Sequence, residues 1–386
     1  MKHLHSTLIA AASLCTLQAA AVSPYITEVY DYCPAPGQFV NISPLYAEGD
    51  DAEAMRGKAL EAIGGTAGGT VSLGAFGGYI TFGFDHTVAN VKGQCDFTIL
   101  GNSFFSGRSL KPEGGSSESG VILVSRDING NGLPDDPWYE IAGSAHHDVA
   151  TIKDYSITYT RPADGHQPVV TDPKGAYDDE QYIAWTDNQG ASGYLGHLVV
   201  NANNYYPEWL DETTLTFSGT RLPGNAVLEG SRIKEWVLYP FAYGYADNMP
   251  NDDSRAAINL EWAVDNDGRP ADLDGIDFVR VYTALNQQCG ALGETSTEIC
   301  GAVDLHPDAS GINDISADNT QAVICDGHEL RLLGFADGTT VNIYTIAGRQ
   351  AHSLLTDGTI TTARLPLSPG VYIVNAGNTT ARIAIR

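Results

Sequence analysis

The sequence predicts an all-β protein: a jelly-roll-like antiparallel β-sandwich followed by a small C-terminal β-sandwich. The first supporting observation is a series of short runs rich in β-branched and aromatic residues, each bounded by turn residues. The second is the alternation of apolar and polar side chains with a period of two, as in residues 79–84 and 156–160. The third is that only one segment has a convincing helical pattern. Many short strands joined by long Gly/Asn-rich loops are typical of a jelly roll.

The first 21 residues are expected to be a signal peptide outside the fold. Lys2 precedes an apolar run over residues 8–17, and residues 18–21 (QAAA) provide small side chains for cleavage. Leu14 stands directly before Cys15 and fits a lipoprotein cleavage motif poorly, so a soluble export signal is favoured over a lipoprotein signal. No later apolar run is long enough to span a bilayer. We therefore expect an exported, soluble mature protein with five cysteines, an odd number that leaves at least one unpaired within the chain.

Residues 22–302 are expected to form the main domain. Its first part, residues 23–46, is rich in Pro and Tyr and is predicted to be an ordered loop packed on the domain. A helix over residues 52–63 is predicted by its apolar face, a cap at Asp50 or Asp51 and a stop at Gly64. The strands of this domain are predicted over residues 70–73, 79–84, 96–100, 121–125, 138–141, 152–160, 181–185, 213–217, 233–239, 258–264 and 276–283.

A polar linker over residues 303–320 and a second β unit over residues 321–386 are expected to follow. The charge changes at this boundary. The formal net charge of the chain is −26, yet the segment from residue 321 has four acidic and five basic residues. The strands of this unit, enough for a sandwich of its own, are predicted over residues 329–333, 340–346, 351–355, 361–366, 370–376 and 379–385.

The acidic main domain argues against nucleic acid and anionic membranes as partners, because both are negatively charged. It is compatible with the binding of cations, or simply with solubility outside the cell. Of these two explanations, solubility is the more general.

The segment from Asp127 to Asp135 has the pattern of a calcium-binding loop. Its alternating oxygen-bearing side chains are followed by Gly132, as in the D-x-[DN]-x-[DN]-G motif whose oxygens converge on a hard cation. Trp138 stands at the twelfth position, where an EF-hand has glutamate, so a shorter extracellular type of loop fits better. The alternative is a metal-free Asn/Gly hairpin turn. The expected ligands of a structural calcium ion are Asp127, Asn129, Asn131, Leu133 and Asp135.

A second acidic cluster over residues 265–274 contains four aspartates between two predicted strands. Aspartates this close repel one another unless a cation or their spacing relieves them. We interpret the cluster as a solvated hairpin tip, because Asp267-Gly268 is a good tight-turn pair. A second calcium site is the alternative.

Two stretches rich in aromatic and amide side chains, residues 201–209 and 239–248, are the candidates for ligand contact. Aromatic faces beside amides suit a sugar ring or the amide-fringed rim of a corrin, since both have apolar faces edged by hydrogen-bonding groups. The alternative is that the tyrosines only close the rim of the sandwich. The candidate ligand-binding residues are Asn203, Tyr205, Tyr206, Trp209, Tyr243, Tyr245 and Asp247.

Signatures of catalysis are scarce, and no catalytic residue is predicted. The sequence has no nucleophile elbow, no HExxH motif and no phosphate-cradling glycine loop. Glu208, Glu235 and Glu261 could supply the two carboxyl groups of a glycoside hydrolase, but the sequence does not place them together. The pair His146-His147 could offer an imidazole to a metal such as cobalt, although a His pair in a polar loop is more often solvated.

Three motifs mark the C-terminal unit: VNIYTIAGR (341–349), LSPGVYIV (367–374) and the terminal ARIAIR (381–386). In this order they resemble the type A sorting domain of type IX secretion in the Bacteroidota. The resemblance implies passage across the outer membrane by the type IX machinery. It also implies attachment to the cell surface, usually with removal of the domain.

Several segments of the main domain are similar to a group of Bacteroidota cell-surface proteins often encoded beside corrinoid (cobalamin) uptake genes. These segments are residues 78–85, 99–102, 127–140, 239–247 and 276–284. The similarity implies binding at the cell surface, with an outer-membrane corrinoid transporter as a partner, and implies no reaction.

The sequence therefore predicts a non-catalytic secreted or cell-surface binding protein with structural calcium, whose ligand is a corrinoid or a glycan. The alternatives are a surface glycoside hydrolase and a structural or adhesive coat protein. An open cleft lined by the two aromatic stretches would favour binding. Two facing carboxylates in a groove would favour hydrolysis, and a closed rim with neither would favour the coat protein.

Overall fold

The computed structural model describes residues 22–107, 113–307, 309, 322–326, 328–345, 349–358, 360–377 and 379–385. The predicted signal peptide and most of the predicted linker lie outside the described residues. The chain forms two compact units, the main unit (residues 1–308) and the C-terminal unit (residues 309–386). The predicted all-β architecture is confirmed, with 26 strands and one α-helix in the described ranges. No helix in those ranges is both long and apolar enough to cross a membrane.

The main unit begins with a strand and continues with the helix α1 (Ala52–Ile63) and further strands. Its 3₁₀ turns are Ser254–Ala256, Leu260–Trp262 and Gly290–Leu292. Its strands are β1 (Glu28–Cys33), β2 (Val71–Ser72), β3 (Tyr79–Ala89), β4 (Phe97–Leu100), β5 (Phe104–Phe105), β6 (Gly115–Ser116), β7 (Gly120–Ser125), β8 (Trp138–Ile141), β9 (Ile152–Thr160), β10 (Tyr177–Asp187), β11 (Ser192–Leu198), β12 (Thr214–Arg221), β13 (Ala226–Glu229), β14 (Glu235–Leu238), β15 (Ala257–Ile258), β16 (Ala263–Val264), β17 (Gly275–Thr283), β18 (Glu298–Ile299) and β19 (Gly301–Asp304).

A six-stranded antiparallel sheet organises the main unit, in the order β1-β3-β17-β7-β8-β16. Successive side chains of a strand point to opposite faces of the sheet. Along β7, Ile122 and Val124 therefore join one hydrophobic core and Val121 joins another. The first core also contains side chains of α1 and of the sheet β15-β4-β19, and the second contains those of the sheet β11-β10-β9-β12. The central sheet is thus buried on both faces, which makes it a rigid support for loops at its edges.

The predicted helix is confirmed in its bounds and its caps. The side chain of Asp51 accepts a hydrogen bond from the N–H of Ala54 at 2.9 Å, which satisfies one of the free donors of the first turn. The helix ends where the N–H of Gly64 donates to the carbonyl of Leu60 at 2.7 Å. Met55 and the other buried residues recur every four positions, so one face of α1 packs on the first core.

Several boundaries differ from the sequence prediction. The strand predicted over residues 258–264 is divided into β15, a 3₁₀ turn and β16, because the side chain of Asn259 accepts the N–H of Glu261 at 2.7 Å and starts the turn. Strands β1 and β11 were not predicted: β1 lies in the Pro- and Tyr-rich segment that was expected to be a loop, and two glycines interrupt the apolar pattern of β11. Strand β19 runs to Asp304, so the main unit extends past residue 302. In the described part of the chain, Cys33, Cys95, Cys289 and Cys300 form no disulfide bond.

The C-terminal unit consists of two antiparallel sheets, β20-β21-β24 and β23-β22-β25-β26. Leu330 and Leu332 of the first sheet share one hydrophobic core with Val341, Ile343 and Val374 of the second. This arrangement agrees with the small sandwich predicted here. Its strands are β20 (Ala322–Asp326), β21 (Glu329–Leu333), β22 (Thr340–Thr345), β23 (Gln350–Leu355), β24 (Ile360–Arg364), β25 (Gly370–Ala376) and β26 (Thr379–Ile385).

Candidate functional site

The main unit contains a cleft with a volume of about 750 Å³. Residues of β3, β8, β12 and β17 line it, together with the loop over residues 265–268. Trp138, the first residue of β8, lies in its wall and closely follows the predicted calcium loop. Its aromatic and titratable lining residues include Tyr79, Trp138, Glu140, His147, Lys153 and Arg280.

The guanidinium of Arg280 lies between two aromatic rings. Its central carbon is 4.7 Å from the ring centroid of Tyr79 and 4.7 Å from that of Trp138, which is cation–π distance for both rings. Its Nε donates a hydrogen bond to Thr81 Oγ1 at 2.8 Å. Thr81 is the residue opposite Arg280 in the ladder of β3 and β17. The register of the central sheet therefore fixes the position of this guanidinium.

Glu140 is the centre of a charged network in the same cleft. One carboxylate oxygen lies 2.7 Å from His146 Nδ1 and 2.9 Å from Lys153 Nζ. The other accepts a hydrogen bond from the hydroxyl of Thr220 at 2.6 Å. Burial raises the pKa of Glu140, but these three partners outweigh it and hold the pKa below its ordinary value. An ionised carboxylate whose two oxygens are both occupied is a poor general acid, so this network stiffens the cleft and positions charge.

The two histidines singled out in the sequence both line the cleft. Their rings meet edge to face, with centroids 4.7 Å apart. His146 is buried and is held by the carboxylate of Glu140 through Nδ1. His147 is exposed, and its side chain makes no hydrogen bond to any residue that the structure describes. His147 is therefore the imidazole that a ligand in the cleft can reach.

The predicted calcium loop joins β7 to β8 and is closed by the carboxylate of Asp127. Asp127 Oδ1 accepts the N–H groups of Gly130 at 2.7 Å and Asn131 at 3.1 Å, and Oδ2 accepts that of Gly132 at 2.9 Å. Gly130 and Gly132 both have a φ of 72°. Other residues adopt this left-handed conformation only with strain, so the turn itself requires both glycines.

Three of the predicted calcium ligands meet inside this loop, beside Asp127. The side-chain amides of Asn129 and Asn131 each donate to the carboxylate of Asp135 at 3.0 Å. These bonds, that of Asn131 first, lower the pKa of Asp135. The amide oxygens face the backbone, since Asn129 Oδ1 accepts the N–H of Asn131 at 3.0 Å and Asn131 Oδ1 accepts that of Leu133 at 2.7 Å. Carboxylate and amide oxygens are the ligands that calcium prefers, so the residue types suit this ion, and its binding would require the two amides to turn.

The base of the calcium loop is tied to β17. The N–H of Asp127 donates to Asp277 Oδ2 at 2.8 Å. Arg126 Nη1 lies 2.9 and 2.8 Å from the two oxygens of the same carboxylate. Asp277 and Arg280 belong to the same strand. The loop and the cleft are therefore linked twice, through Trp138 and through β17, so a more ordered loop is expected to give a more rigid cleft.

The predicted ligand-binding residues do not line this cleft. Asn203 is half-buried and donates from its amide to the carbonyl of Gln38 at 2.8 Å. Tyr243 is exposed and packs its ring 4.7 Å from that of Trp262. Burial of the other members favours the alternative interpretation, in which these side chains close and support the sandwich. The buried members of the set are Tyr205, Tyr206, Trp209, Tyr245 and Asp247.

Tyr79, Trp138 and Arg280 were not among the predicted site residues. Each belongs to a segment predicted to be a strand, where an aromatic ring is ordinary. The sequence did contain one signal for this site. Arg280 is the one basic residue of β17, and its neighbours in the strand are largely apolar. A charge at such a position requires a partner or a function.

The second acidic cluster forms a turn at the rim of the cleft. Asp265 Oδ1 accepts the N–H groups of Asp267 and Arg269, both at 2.9 Å. The guanidinium of Arg269 lies 2.7 Å from the carboxylate of Asp267. These contacts agree with the solvated hairpin tip predicted here, and they give the rim of the cleft a negative charge.

A separate group of carboxyls lies deep in the main unit. Glu118, Asp247 and Glu298 each have an oxygen within 4.8 Å of the other two. Asp247 accepts the N–H groups of Asn102 and Ser103 at 2.9 Å and that of Glu298 at 3.0 Å. Burial first, and then the neighbouring carboxyls, raise the pKa of Glu118 and Asp247 well above their ordinary values. The group has the spacing of metal ligands, and its burial favours the protonated form of these carboxyls.

No protein-family model matches this chain, and no curated protein matches it in sequence. The function is therefore inferred from the residues of the cleft and of the calcium loop.

Proposed function

We propose that this protein is a non-catalytic binding protein whose ligand occupies the cleft beside the calcium loop. The observation that carries the proposal is the guanidinium of Arg280, held between Tyr79 and Trp138 in the wall of that cleft. The cleft volume of about 750 Å³ lies within the range of small-molecule sites. Flat rings beside fixed polar groups recognise a ligand by shape and by a few directed contacts.

The glycoside hydrolase alternative gains no support from the cleft. Glu208, Glu235 and Glu261, its candidate carboxyls, do not line it. Glu140 does line it, but its pKa is held below the ordinary value and its oxygens are both bonded. A glycosidase needs an acid whose pKa is raised so that it can protonate the leaving group. The binding function is therefore the one that the geometry favours.

The ligand classes proposed for the cleft are a corrinoid and a glycan. Isothermal titration of the full chain with cyanocobalamin, and with a panel of glycans, tests them. We expect saturable heat with one class, and at least about tenfold weaker binding in Trp138→Ala, because aromatic side chains are frequent anchors of binding energy. Tyr243→Ala is the matched control, since Tyr243 is an exposed aromatic residue outside the cleft. Heat that is the same in wild type and Trp138→Ala would place the ligand elsewhere, and no heat with either class would refute the binding function.

We also propose a structural calcium ion held by Asp127, Asn129, Asn131, Leu133 and Asp135. Calcium at one hundred times its Kd is expected to stabilise the wild type by about 2.7 kcal/mol. Asp135→Asn should lose most of this effect, because it removes one of the two charges that face the ion. Thermal unfolding with calcium and with a chelator measures the difference.

Asp267→Asn is the control for the calcium prediction. Asp267 belongs to the second acidic cluster, so this variant should respond to calcium as the wild type does. An equal calcium response in Asp135→Asn and wild type would contradict the proposed site. A response lost only in Asp267→Asn would assign the ion to the second cluster.

We propose that the protein is exported, crosses the outer membrane through the type IX machinery and acts at the cell surface of a member of the Bacteroidota. The three C-terminal motifs support this proposal, as does the separate two-sheet unit that contains them. If the ligand is a corrinoid, an outer-membrane corrinoid transporter is the proposed partner.

A further inference from the structure

We infer that the ligand of the cleft carries an anionic oxygen group, a carboxylate or a phosphate, and that Arg280 binds it. The inference rests on the proposed binding function and specifies the chemistry of the ligand. Its basis is the position of Arg280: half-buried, sandwiched between two rings and open to the cleft.

The hydrogen-bonding capacity of Arg280 is largely unused. Its Nε donates to Thr81, while its two terminal nitrogens make no hydrogen bond or ion pair with any residue in the described ranges. The terminal N–H groups of a guanidinium form a planar fork that matches two oxygens of a carboxylate or phosphate. Because two rings pack against the guanidinium and Thr81 holds its Nε, the fork is held in place before the ligand arrives. Little side-chain entropy is then lost on binding.

Three other arginines of the main unit have the carboxylate partners that Arg280 lacks among the described residues. Arg126, Arg255 and Arg269 each form ion pairs with two carboxylates. The chain has 47 acidic and 21 basic residues, so carboxylates are abundant partners for an arginine. A half-buried arginine without one in such a chain leaves a positive charge uncompensated. An anionic ligand would supply the missing partner.

Other residues of the cleft complement a ligand whose anionic group is bound by Arg280. The ammonium of Lys153 and the imidazole of His147 also line it. The rim is acidic, with Asp154, Asp265 and Asp267. Carboxylates accept hydrogen bonds, so the rim favours hydroxyl or amide donors. The ligand inferred is therefore anionic at the Arg280 end and carries hydrogen-bond donors at the rim.

The test compares ligands that differ in the anionic group, by titration of the full chain. One pair is cyanocobalamin, which has a phosphodiester, and cobinamide, which lacks the phosphodiester together with its ribose and base, so that the Arg280 variants are needed to isolate the phosphate. The other pair is a uronic-acid oligosaccharide and its neutral counterpart. In one pair, we expect the member that carries the anionic group to bind at least about tenfold more tightly than the member without it. The pair that responds identifies whether the group is a phosphate or a carboxylate.

The variants Arg280→Gln and Arg280→Lys complete the test. Arg280→Gln should weaken binding of the anionic member at least about tenfold and leave the neutral member unchanged. Arg280→Lys should fall between Arg280→Gln and wild type, since it retains the charge and loses the fork. Arg255→Gln, an arginine already paired with two carboxylates, is the matched control and should bind as wild type does. An unchanged urea unfolding transition, followed by tryptophan fluorescence, shows that each variant is folded.

The outcomes separate the two proposals. If both members of a pair bind equally and Trp138→Ala weakens both while Arg280→Gln weakens neither, the anionic group is refuted and the cleft stands. If no member of either pair binds to the wild type, both the anionic group and the proposed binding function are refuted.

Discussion

Raising the pH from 5 to 9 is expected to lower the free energy of unfolding of the main unit by several kcal/mol. The cause is a set of buried glutamic acids that are protonated in the folded protein. Burial raises the pKa of Glu294 from 4.5 to about 8 and that of Glu298 from 4.5 to about 7. One oxygen of Glu294 accepts the N–H of Gln38 at 2.6 Å, and the other is buried without a partner in the described part of the chain.

The sign of the effect follows from proton binding. Between the unfolded pKa of about 4.3 and the folded values, the native state holds protons that the unfolded chain has released. The stabilisation is therefore complete below about pH 4 and is lost as the pH rises through the folded pKa values of about 7 and 8. Each pKa unit corresponds to about 1.4 kcal/mol, so Glu294 alone contributes on the order of 4 kcal/mol.

Urea unfolding at a series of pH values measures this dependence at constant calcium. All five tryptophans precede residue 263, so their fluorescence reports the main unit. Glu294→Gln and Glu298→Gln, which cannot ionise, should each flatten the profile between pH 5 and 9 and be more stable than wild type at pH 9. Glu208→Gln, at an exposed position, should reproduce the wild-type profile. A Glu294→Gln profile as steep as that of wild type would contradict the assignment.

The second large effect is expected from Gly74→Ala, which should destabilise the main unit by on the order of 4 kcal/mol or more. Gly74 has a φ of 70°, and a Cβ there would lie 2.0 Å from the carbonyl oxygen of Ala35. The backbone of Gly74 cannot shift away from Ala35 easily, because two hydrogen bonds hold it. Its N–H donates to Ser296 Oγ at 2.9 Å and its carbonyl accepts from Thr283 Oγ1 at 2.9 Å.

Gly68→Ala is the matched control for this clash. Gly68 has a φ of 69°, almost the same backbone conformation, but a Cβ there would have no heavy atom within 4 Å. It should therefore cost only the strain of the left-handed conformation, about 1–2 kcal/mol. Urea unfolding measures the free energy of unfolding of both variants, and the difference between them isolates the cost of the clash with Ala35. Equal losses would show that backbone strain, and not contact with Ala35, governs both positions.

The elements predicted best from the sequence are those fixed by local interactions. The helix begins and ends as expected, because Asp51 and Gly64 satisfy free groups of its first and last turns from within the same segment. The turn of the calcium loop follows from its own residues in the same way, since Asp127 accepts N–H groups only three to five positions later. The strand predicted over residues 258–264 was less accurate, because Asn259 competes locally for the backbone.

The candidate site was not predictable in this way. The aromatic stretch around Tyr205 and Tyr206 was expected to contact ligand, yet both tyrosines are fully buried. An aromatic side chain has the same identity in a core and at a surface, so composition alone does not separate the two. Arg280, in contrast, lines the cleft but was not predicted to do so. Its neighbours in the sequence do not reveal the two rings that pack against it.

By itself, the sequence determined the all-β class, the helix, the turn closed by Asp127 and the acidic character of the main unit. The first three depend on the period of apolar residues and on caps and turns, which act over a few residues. The charge is a sum over the sequence and does not depend on the fold. Only the tertiary structure decided which side chains form the cleft. Tyr79, Trp138 and Arg280 come from β3, β8 and β17, and they meet because strands distant in the chain share one sheet in a particular order and register. That order depends on the packing of both hydrophobic cores at once, which no local pattern encodes.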